Sequence, residues 1–298
     1  MIDFRPPAIG DRDAVRNVLE RSRHICSDSS FANLFLLRRK YNTLISVDEG
    51  FLFRHYDGAG SRRGYTFPLG AGDPAPALAK IEADSQASGR PLEFCLLTNP
   101  QKAMLEARYG SRLSFHTSRG DADYVYSARD LADLPGRLFQ KKRNHVSRFL
   151  RAWGDAEFRP LAASCFADAL EIERRWREEK TANDDSWEHD AIIEAFANYG
   201  ELGLSGAVLY AGGKPAAMTV ASEIVTGVWD IHFEKAVGEF AADGAYAAIN
   251  RLFASMIADN ASLINREEDL NHHNLRKAKL SYHPQSILEK SHARLEDR

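Results

Sequence analysis

Residues 204–234 constrain the fold of this chain more than any other stretch, because they predict three successive β-strands. The strands are expected at 204–210, 215–224 and 228–234. Gly212-Gly213 and Thr226-Gly227 stand at the two intervening turns, where glycine readily supplies the positive φ that tight hairpins need. The pattern therefore predicts an antiparallel meander of three strands.

The elements on either side of this meander follow a defined order. A strand and two helices are expected before it, and a helix followed by short strands after it. These segments lie at 158–160, 165–179, 186–199, 244–259, 263–265, 279–282 and 287–290. This is the element order of the GNAT (acyl-CoA N-acyltransferase) fold, and the N-terminal half, which also alternates helices and strands, is interpreted as a degenerate copy. The prediction is an α/β (α+β) protein with a tandem GNAT-like fold in two mixed-sheet halves.

A basic helix is expected to connect the two halves. The predicted domains are an N-terminal GNAT-like domain at 1–134, a connecting helix at 135–154 and a C-terminal GNAT-like domain at 155–298. No acidic residue lies between Asp133 and Asp155, so polar and basic residues dominate one helix face. That face carries Arg137, Lys141, Asn144, Arg148 and Arg151. It is either a solvated surface or a docking surface for phosphate-rich material.

Lys142 departs from the pattern of this helix, because it lies in the apolar sector between Leu138 and Val146. A lysine in such a position must extend its ammonium to solvent or find a partner. If it does not reach solvent, we expect Glu267 or Asp269, from the far end of the chain, to pair with it.

Composition narrows the class of protein. The chain has 298 residues and a net charge of −3, with a pI near 6.4, which argues against indiscriminate nucleic-acid binding. Three widely spaced cysteines predict neither a disulfide framework nor a metal site, and the adjacent side chains of His272-His273 point apart on a regular element. No apolar run approaches the ~20 residues of a membrane span, and the N-terminus does not resemble a signal peptide. We therefore expect a cytoplasmic protein without a bound metal.

The stretch at 263–290 concentrates charge where a strand ends. Ligand clefts of open α/β folds form at such ends. Glu267, Glu268 and Asp269 are suited to holding the ammonium of an amino acid, and basic residues follow directly. The polar and aromatic candidates here are Asn265, Arg266, Arg276, Lys277, Lys279 and Tyr282. Lys279 and Tyr282 are placed in the last strand pair. The alternative is that the opposite charges of this stretch simply pair with each other.

The turn before the helix at 244–259 is the coenzyme A position of a GNAT domain. There, backbone N–H groups and the helix N-terminus hold a pyrophosphate. Gly238 and Gly244 stand in the right region, but the usual basic–x–x–Gly–x–Gly/Ala run is missing. Glu239 and Asp243 would repel a pyrophosphate.

Two motifs carry a family resemblance that spans essentially the whole chain. YVYSARDLADLPGRLFQKKRNHVSRF and INREEDLNHHNLRKAKLSYHP resemble the bacterial DUF2156 group, which is related to the C-terminal domain of phosphatidylglycerol lysyltransferases and, more distantly, to Fem-type aminoacyltransferases. The first motif includes Lys142, Arg143 and Asn144. The second includes Asn265, Arg266, Glu267, Asp269, Arg276, Lys277 and Lys279. This chain departs from the group at 271–274, where Asn-His-His-Asn replaces the usual glycine, and it lacks the membrane-spanning part of full lysyltransferases.

The resemblance implies transfer of an aminoacyl group from aminoacyl-tRNA to a lipid, peptide or small-molecule acceptor, with no further cofactor required. In this interpretation Lys142 and Lys279 belong to the catalytic set, and Glu267 or Asp269 holds the donor ammonium or acts as a base. Lys142, Arg143 and Arg148 contact the RNA phosphates. Two alternatives stay open. One is a coenzyme A-dependent N-acyltransferase, and the other is a non-catalytic protein that binds tRNA or a phospholipid headgroup.

Overall fold

The structure is a computed structural model that describes residues 1–58, 62–179 and 186–295. The chain divides into two compact units that are discontinuous in sequence. The first unit comprises Met1–Tyr124, Glu268–Arg276 and Ile287–Arg298, and the second comprises Val125–Glu267 and Lys277–Ser286. This division differs from contiguous domains at 1–134 and 155–298, because two C-terminal segments pack with the N-terminal part of the chain.

The first unit combines helices with a mixed sheet. Its helices are α1 (Arg12–Ser22), α2 (Phe31–Leu36), α3 (Arg38–Tyr41), α4 (Ala75–Ser88) and α5 (Asn99–Tyr109). Its strands are β1 (Leu44–Asp48), β2 (Phe51–Asp57), β3 (Arg63–Tyr65), β4 (Leu69–Gly70), β5 (Glu93–Leu97), most of β6 (Leu113–Ser127) and nearly all of β12 (Ser286–Leu295). The strand order is β1-β2-β3-β5-β12-β6, with β4 beside β2, and β3 runs parallel to β5. Helices α4 and α5 contribute Leu78, Ile81 and Leu105 to a core with Phe53, Tyr65 and Phe94 from the strands.

The second unit contains the predicted meander. Its helices are α6 (Ala128–Asp133), α7 (Gln140–Ala152), α8 (Phe166–Glu179), α9 (Ser186–Ala197), α10 (Gly238–Asp243) and α11 (Ala245–Ile257). Its strands are β7 (Glu157–Pro160), β8 (Leu204–Ala211), β9 (Lys214–Val225), β10 (Val228–Ala236) and β11 (Leu263–Asn265). Strands β7 to β10 are antiparallel neighbours, which confirms the meander.

Strands β10 and β11 are parallel, and they are paired over only a short segment. They pair at three positions, the last of which joins Asp230 to Asn265. Beyond Asp230, β10 continues to Ala236, whereas β11 ends at Asn265. The residues that follow this last pair, Glu234 on β10 and Arg266 after β11, therefore meet outside the paired segment.

Two local predictions need correction. The basic helix begins at Gln140 rather than Pro135, because Leu134 adopts a left-handed conformation that ends α6 and residues 136–139 form a turn. Lys279 and Tyr282 do not lie in a strand: α12 (His273–Leu280) occupies this region, as its leucine, arginine, lysine and alanine content favours.

Among the described residues, no helix combines the length and apolarity needed to cross a bilayer. The cytoplasmic location stays a prediction.

Candidate functional site

Lys142 and Tyr282 form the centre of the candidate site in the second unit. Helix α7 carries Lys142 with its ammonium 3.7 Å from the centroid of the Tyr282 ring, and the lysine is half-buried. Tyr282 itself is buried and follows α12 by two residues. The lysine of the apolar sector has thus found an aromatic face, a cation–π contact that partly replaces lost hydration.

Arg266 lies against the same ring and binds a carboxylate. Its guanidinium carbon is 4.7 Å from the Tyr282 centroid, and its Nη2 donates to Glu234 Oε1 at 2.7 Å. Asn250 of α11 donates through Nδ2 to the other oxygen of Glu234 at 2.8 Å. Among the described residues, Arg266 Nη1 and Asn250 Oδ1 are buried without a hydrogen-bond partner. We call Lys142, Glu234, Asn250, Arg266 and Tyr282 the tyrosine-centred cluster.

The electrostatics of this cluster make Lys142 unusual. Burial, and to a smaller extent the positive charge of Arg266, lower the pKa of Lys142 to about 8, because Glu234 only partly offsets them. Glu234 is already bound by Arg266, so no carboxylate of the described residues forms an ion pair with Lys142. Burial also raises the pKa of Tyr282 to about 12, so the ring remains a neutral phenol. A lysine amine poised in this way exchanges protons readily near neutral pH.

Lys279 contacts the backbone of Arg266, a member of the cluster. It is buried, and its Nζ donates to the carbonyl oxygen of Arg266, while the Tyr126 hydroxyl donates to the carbonyl oxygen of Lys279 at 2.8 Å. These contacts fix the chain on which Arg266 and Tyr282 sit. The catalytic role expected of Lys279 stays a prediction.

Glu267 faces a histidine rather than Lys142. Its Oε1 is 3.4 Å from Nδ1 of His232, whose Nε2 lies 2.8 Å from the Ser222 hydroxyl. Asp230 Oδ2 is 3.5 Å from the same Nδ1. The backbone N–H of Glu267 donates to the side-chain oxygen of the buried Asn265, which holds Glu267 in a left-handed conformation with φ of 57°.

Asp269 belongs to the first unit, where other groups already bind it. Its carboxylate accepts hydrogen bonds from the Tyr124 hydroxyl at 2.5 Å and from Arg276 Nε and Nη2 at 2.7 and 2.8 Å. Burial opposes ionisation, but the bonds from Arg276 and Tyr124 hold the pKa of Asp269 below its ordinary value. The expected pairing of Lys142 with Glu267 or Asp269 is therefore wrong, since each of the three has a different partner.

The basic face of α7 is only partly available to a ligand. Arg143 donates to the carbonyl oxygens of Leu134 and Gly136, and Arg148 donates to those of Ala242 and Asp243. Both arginines thus fasten backbone turns. The residues of this helix region that remain exposed include Arg137, Lys141, Asn144 and Arg151, and Lys277 on α12 is exposed as well.

The two glycines of the coenzyme A position are not open to a pyrophosphate. The N–H of Gly238 donates to Glu179 Oε2 at 3.0 Å, so a carboxylate occupies that donor. Gly244 starts α11 at φ of 114°, and a Cβ built on it would lie 2.5 Å from the carbonyl oxygen of His145. Helix α7 therefore covers the N-terminus of α11 at this point.

Comparison with known proteins places the chain in a family. The sequence model described as phosphatidylglycerol lysyltransferase, C-terminal, matches residues 19–294. The chain belongs to this family. No curated protein sequence matches it significantly. A conserved protein of unknown function from Bacteroides thetaiotaomicron VPI-5482 is 36% identical over 99% of this chain and 100% of its own, with a TM-score of 0.92.

More distant structures share the fold with this lysyltransferase-family chain. L-PGS from Bacillus licheniformis is 15% identical, with a TM-score of 0.66, over 97% of this chain and 93% of its own. FemX is 8% identical, with a TM-score of 0.66, over 99% of this chain and 98% of its own. Together with a tandem GNAT protein, these structures confirm the tandem GNAT-like fold. The family match itself confirms the predicted DUF2156 relationship. Family and fold support an acyltransferase-like role.

Sequence reasoning missed Glu234 and Asn250 of the tyrosine-centred cluster. Both are polar residues within apolar elements, Glu234 near the end of β10 and Asn250 on the buried face of α11. A polar residue on an apolar stripe is the same signal that drew attention to Lys142. It was available in the sequence for both residues.

Proposed function

We propose that the protein transfers an aminoacyl group from aminoacyl-tRNA to an acceptor. The observation that carries the proposal is the tyrosine-centred cluster, in which a half-buried lysine of lowered pKa stands beside an arginine with an unused donor. A base near neutral pH and a fixed positive charge are what attack on an ester requires. Because the matching family model is named for a lysyltransferase of phosphatidylglycerol, lysyl-tRNA and that lipid are the first donor and acceptor to test.

The proposed chemistry assigns separate roles to Lys142 and Arg266. Neutral Lys142 takes a proton from the acceptor amine or hydroxyl as that group attacks the ester carbonyl carbon. Arg266 stabilises the negative charge that develops on the carbonyl oxygen. The new bond joins the acyl carbon to the acceptor, the ester bond to the ribose oxygen breaks, and the proton held by Lys142 passes to that oxygen.

Binding of the RNA is assigned to the exposed cations of the helix region. Arg137, Lys141 and Arg151 are exposed and lie on a stretch without acidic residues, whereas Arg143 and Arg148 already bind backbone carbonyls. Exposed arginine and lysine neutralise phosphates and make binding salt-dependent. These three residues are the basic residues of the predicted docking face that do not bind backbone carbonyls of the described residues.

Coenzyme A dependence is less favoured than aminoacyl transfer. The carboxylate of Glu179 accepts the Gly238 N–H, and His145 packs against Gly244, so the backbone donors that would hold a pyrophosphate are taken or covered. Acyl-coenzyme A nevertheless belongs in the assay as a competing donor, because the fold is GNAT-like.

The test is transfer of labelled amino acid from charged tRNA. The purified protein is incubated with lysyl-tRNA or a mixed aminoacyl-tRNA pool and, separately, with phosphatidylglycerol vesicles, peptides or small amines. At saturating tRNA, Lys142→Met should abolish transfer. Lys141→Met removes the same charge from the neighbouring exposed position, so it should weaken tRNA binding by about one phosphate contact but retain most of the maximal rate. Consumption of acetyl-coenzyme A but of no aminoacyl-tRNA would overturn the proposal, and tRNA or vesicle binding without any transfer would identify a non-catalytic binding protein.

A further inference from the structure

Lys142 and its sequence neighbour Lys141 lie in different environments. The ammonium of Lys142 lies over the Tyr282 ring and has no ion-pair partner among the carboxylates of the described residues, whereas Lys141 is exposed. The contact of Lys142 is with a neutral ring, which offers no hydrogen-bond acceptor as strong as a carboxylate. Its nitrogen lone pair therefore becomes available whenever the proton leaves.

The surroundings of Lys142 favour that loss of the proton. Burial removes water from the ammonium, and the guanidinium of Arg266 on the same ring repels it. These two effects bring the pKa of Lys142 to about 8, while Glu234 acts in the opposite direction. At neutral pH a substantial minority of Lys142 is consequently the nucleophilic free amine.

We propose that Lys142 is a modification site that is acylated by acyl phosphates. The dianionic phosphate of such a reagent suits a helix without acidic residues and the unused Nη1 donor of Arg266, which stays charged while Lys142 is neutral. This inference goes beyond the proposed transfer reaction and requires no tRNA.

The step is a simple acyl transfer. The neutral Nζ attacks the acyl carbon, a C–N bond forms, and the C–O bond to phosphate breaks. The amine loses one proton, which the departing phosphate takes up, so the products are an N-acyl-lysine amide and hydrogen phosphate. Nothing is oxidised or reduced.

Acylation removes the charge and the basicity of Lys142 together. The amide cannot accept a proton near neutral pH, and it cannot make the cation–π contact with Tyr282. If Lys142 is the base of aminoacyl transfer, acylation switches that reaction off. This consequence rests on the proposed function, whereas the acylation itself does not.

Acetyl phosphate is the probe for this site. The protein is incubated with it between pH 6.5 and 9.5, and peptide mass spectrometry that resolves Lys142 from Lys141 follows both residues. An ordinary lysine has a pKa of about 10.4, so near pH 7.5 a much larger fraction of Lys142 than of Lys141 is neutral. Burial and lower basicity make each neutral Lys142 less reactive, so the net rate advantage of Lys142 should be about tenfold. The rate at Lys142 should level off above pH 8.

Two variants of opposite sign separate this mechanism from simple accessibility. Arg266→Gln removes the repulsion and should slow acetylation of Lys142 several-fold, whereas Glu234→Gln removes the attraction and should accelerate it. Circular dichroism confirms that each variant is folded, and the ratio of Lys142 to Lys141 in the unmodified sequence needs no variant. Equal rates at the two lysines, or faster reaction at Lys141 across the pH range, would overturn the inference even if aminoacyl transfer were demonstrated.

Discussion

Replacement of Lys290 by methionine should strongly destabilise the first unit. The ammonium of Lys290 is fully buried and lies 2.8 Å from Asp28 and 2.7 Å from Asp123, both of which are also buried. Arg54 binds Asp28 as well, at 2.7 Å, so two cations balance two carboxylates. Methionine preserves much of the side-chain volume but leaves one buried negative charge uncompensated.

The expected cost is about 3–5 kcal/mol in the free energy of unfolding, the range for removing one partner of a buried ion pair. In a protein of this size that corresponds to a fall in Tm of roughly 10 °C. Urea unfolding followed by far-UV circular dichroism measures it. All four tryptophans lie in the second unit, so tryptophan fluorescence shows whether the loss reaches that unit.

A double variant provides the control. Asp123→Asn in the Lys290→Met background restores charge balance between Asp28 and Arg54, and should recover part of the lost stability. A cost below about 1 kcal/mol for Lys290→Met, as for an exposed pair, would refute the reasoning. The reasoning would also be refuted if Asp123→Asn lowered the free energy of unfolding by the same amount in the Lys290→Met background as in the unmodified sequence.

Three further predictions concern the second unit. Gly244→Ala should destabilise by about 1–3 kcal/mol because its φ is positive and its Cβ would meet His145; Gly154→Ala, where a Cβ meets open space, is the matched control in the same urea assay, and equal effects would contradict the account. Coenzyme A should leave the thermal midpoint unchanged, and a rise of several degrees would reopen the coenzyme A alternative. Arg148→Ser should lower stability with little change in the salt dependence of tRNA binding, whereas Lys141→Ser should reduce the slope by about one phosphate contact and leave stability unchanged; the reverse pattern would show that Arg148 binds RNA.

The sequence predicted those parts of the fold that depend on local patterns. The meander followed from the glycines at its turns. The half-burial of Lys142 agrees with its place near the buried Val146, whereas Leu138, the other expected neighbour, is exposed. Gly120 could not be explained from its local sequence. It lies inside β6, and a Cβ on it would clash with the side chain of Asn271, which is far away in sequence.

The partners of the candidate site residues could not be predicted in the same way. Lys142 contacts Tyr282, and Asp269 binds Arg276 and Tyr124, through the three-dimensional arrangement of segments far apart in sequence. Charge complementarity alone favoured a pair between Lys142 and an acid, but it could not show that Asp269 is already satisfied. The place of β12 in the first unit likewise depends on its pairing with β5, which lies far away in sequence.

The pH dependence of donor consumption tests the central claim most directly. The rate at which labelled aminoacyl-tRNA loses its amino acid to an acceptor is measured under single-turnover conditions from pH 6 to 9.5 for the unmodified sequence and for Lys142→Met, with a protein-free sample as the reference for spontaneous hydrolysis. In the proposed mechanism the free amine of Lys142 is the base, so the enzyme-dependent rate should rise with pH, pass its midpoint near the Lys142 pKa of about 8 and then level off. An enzyme-dependent rate that persists in Lys142→Met with the same pH profile would contradict the account.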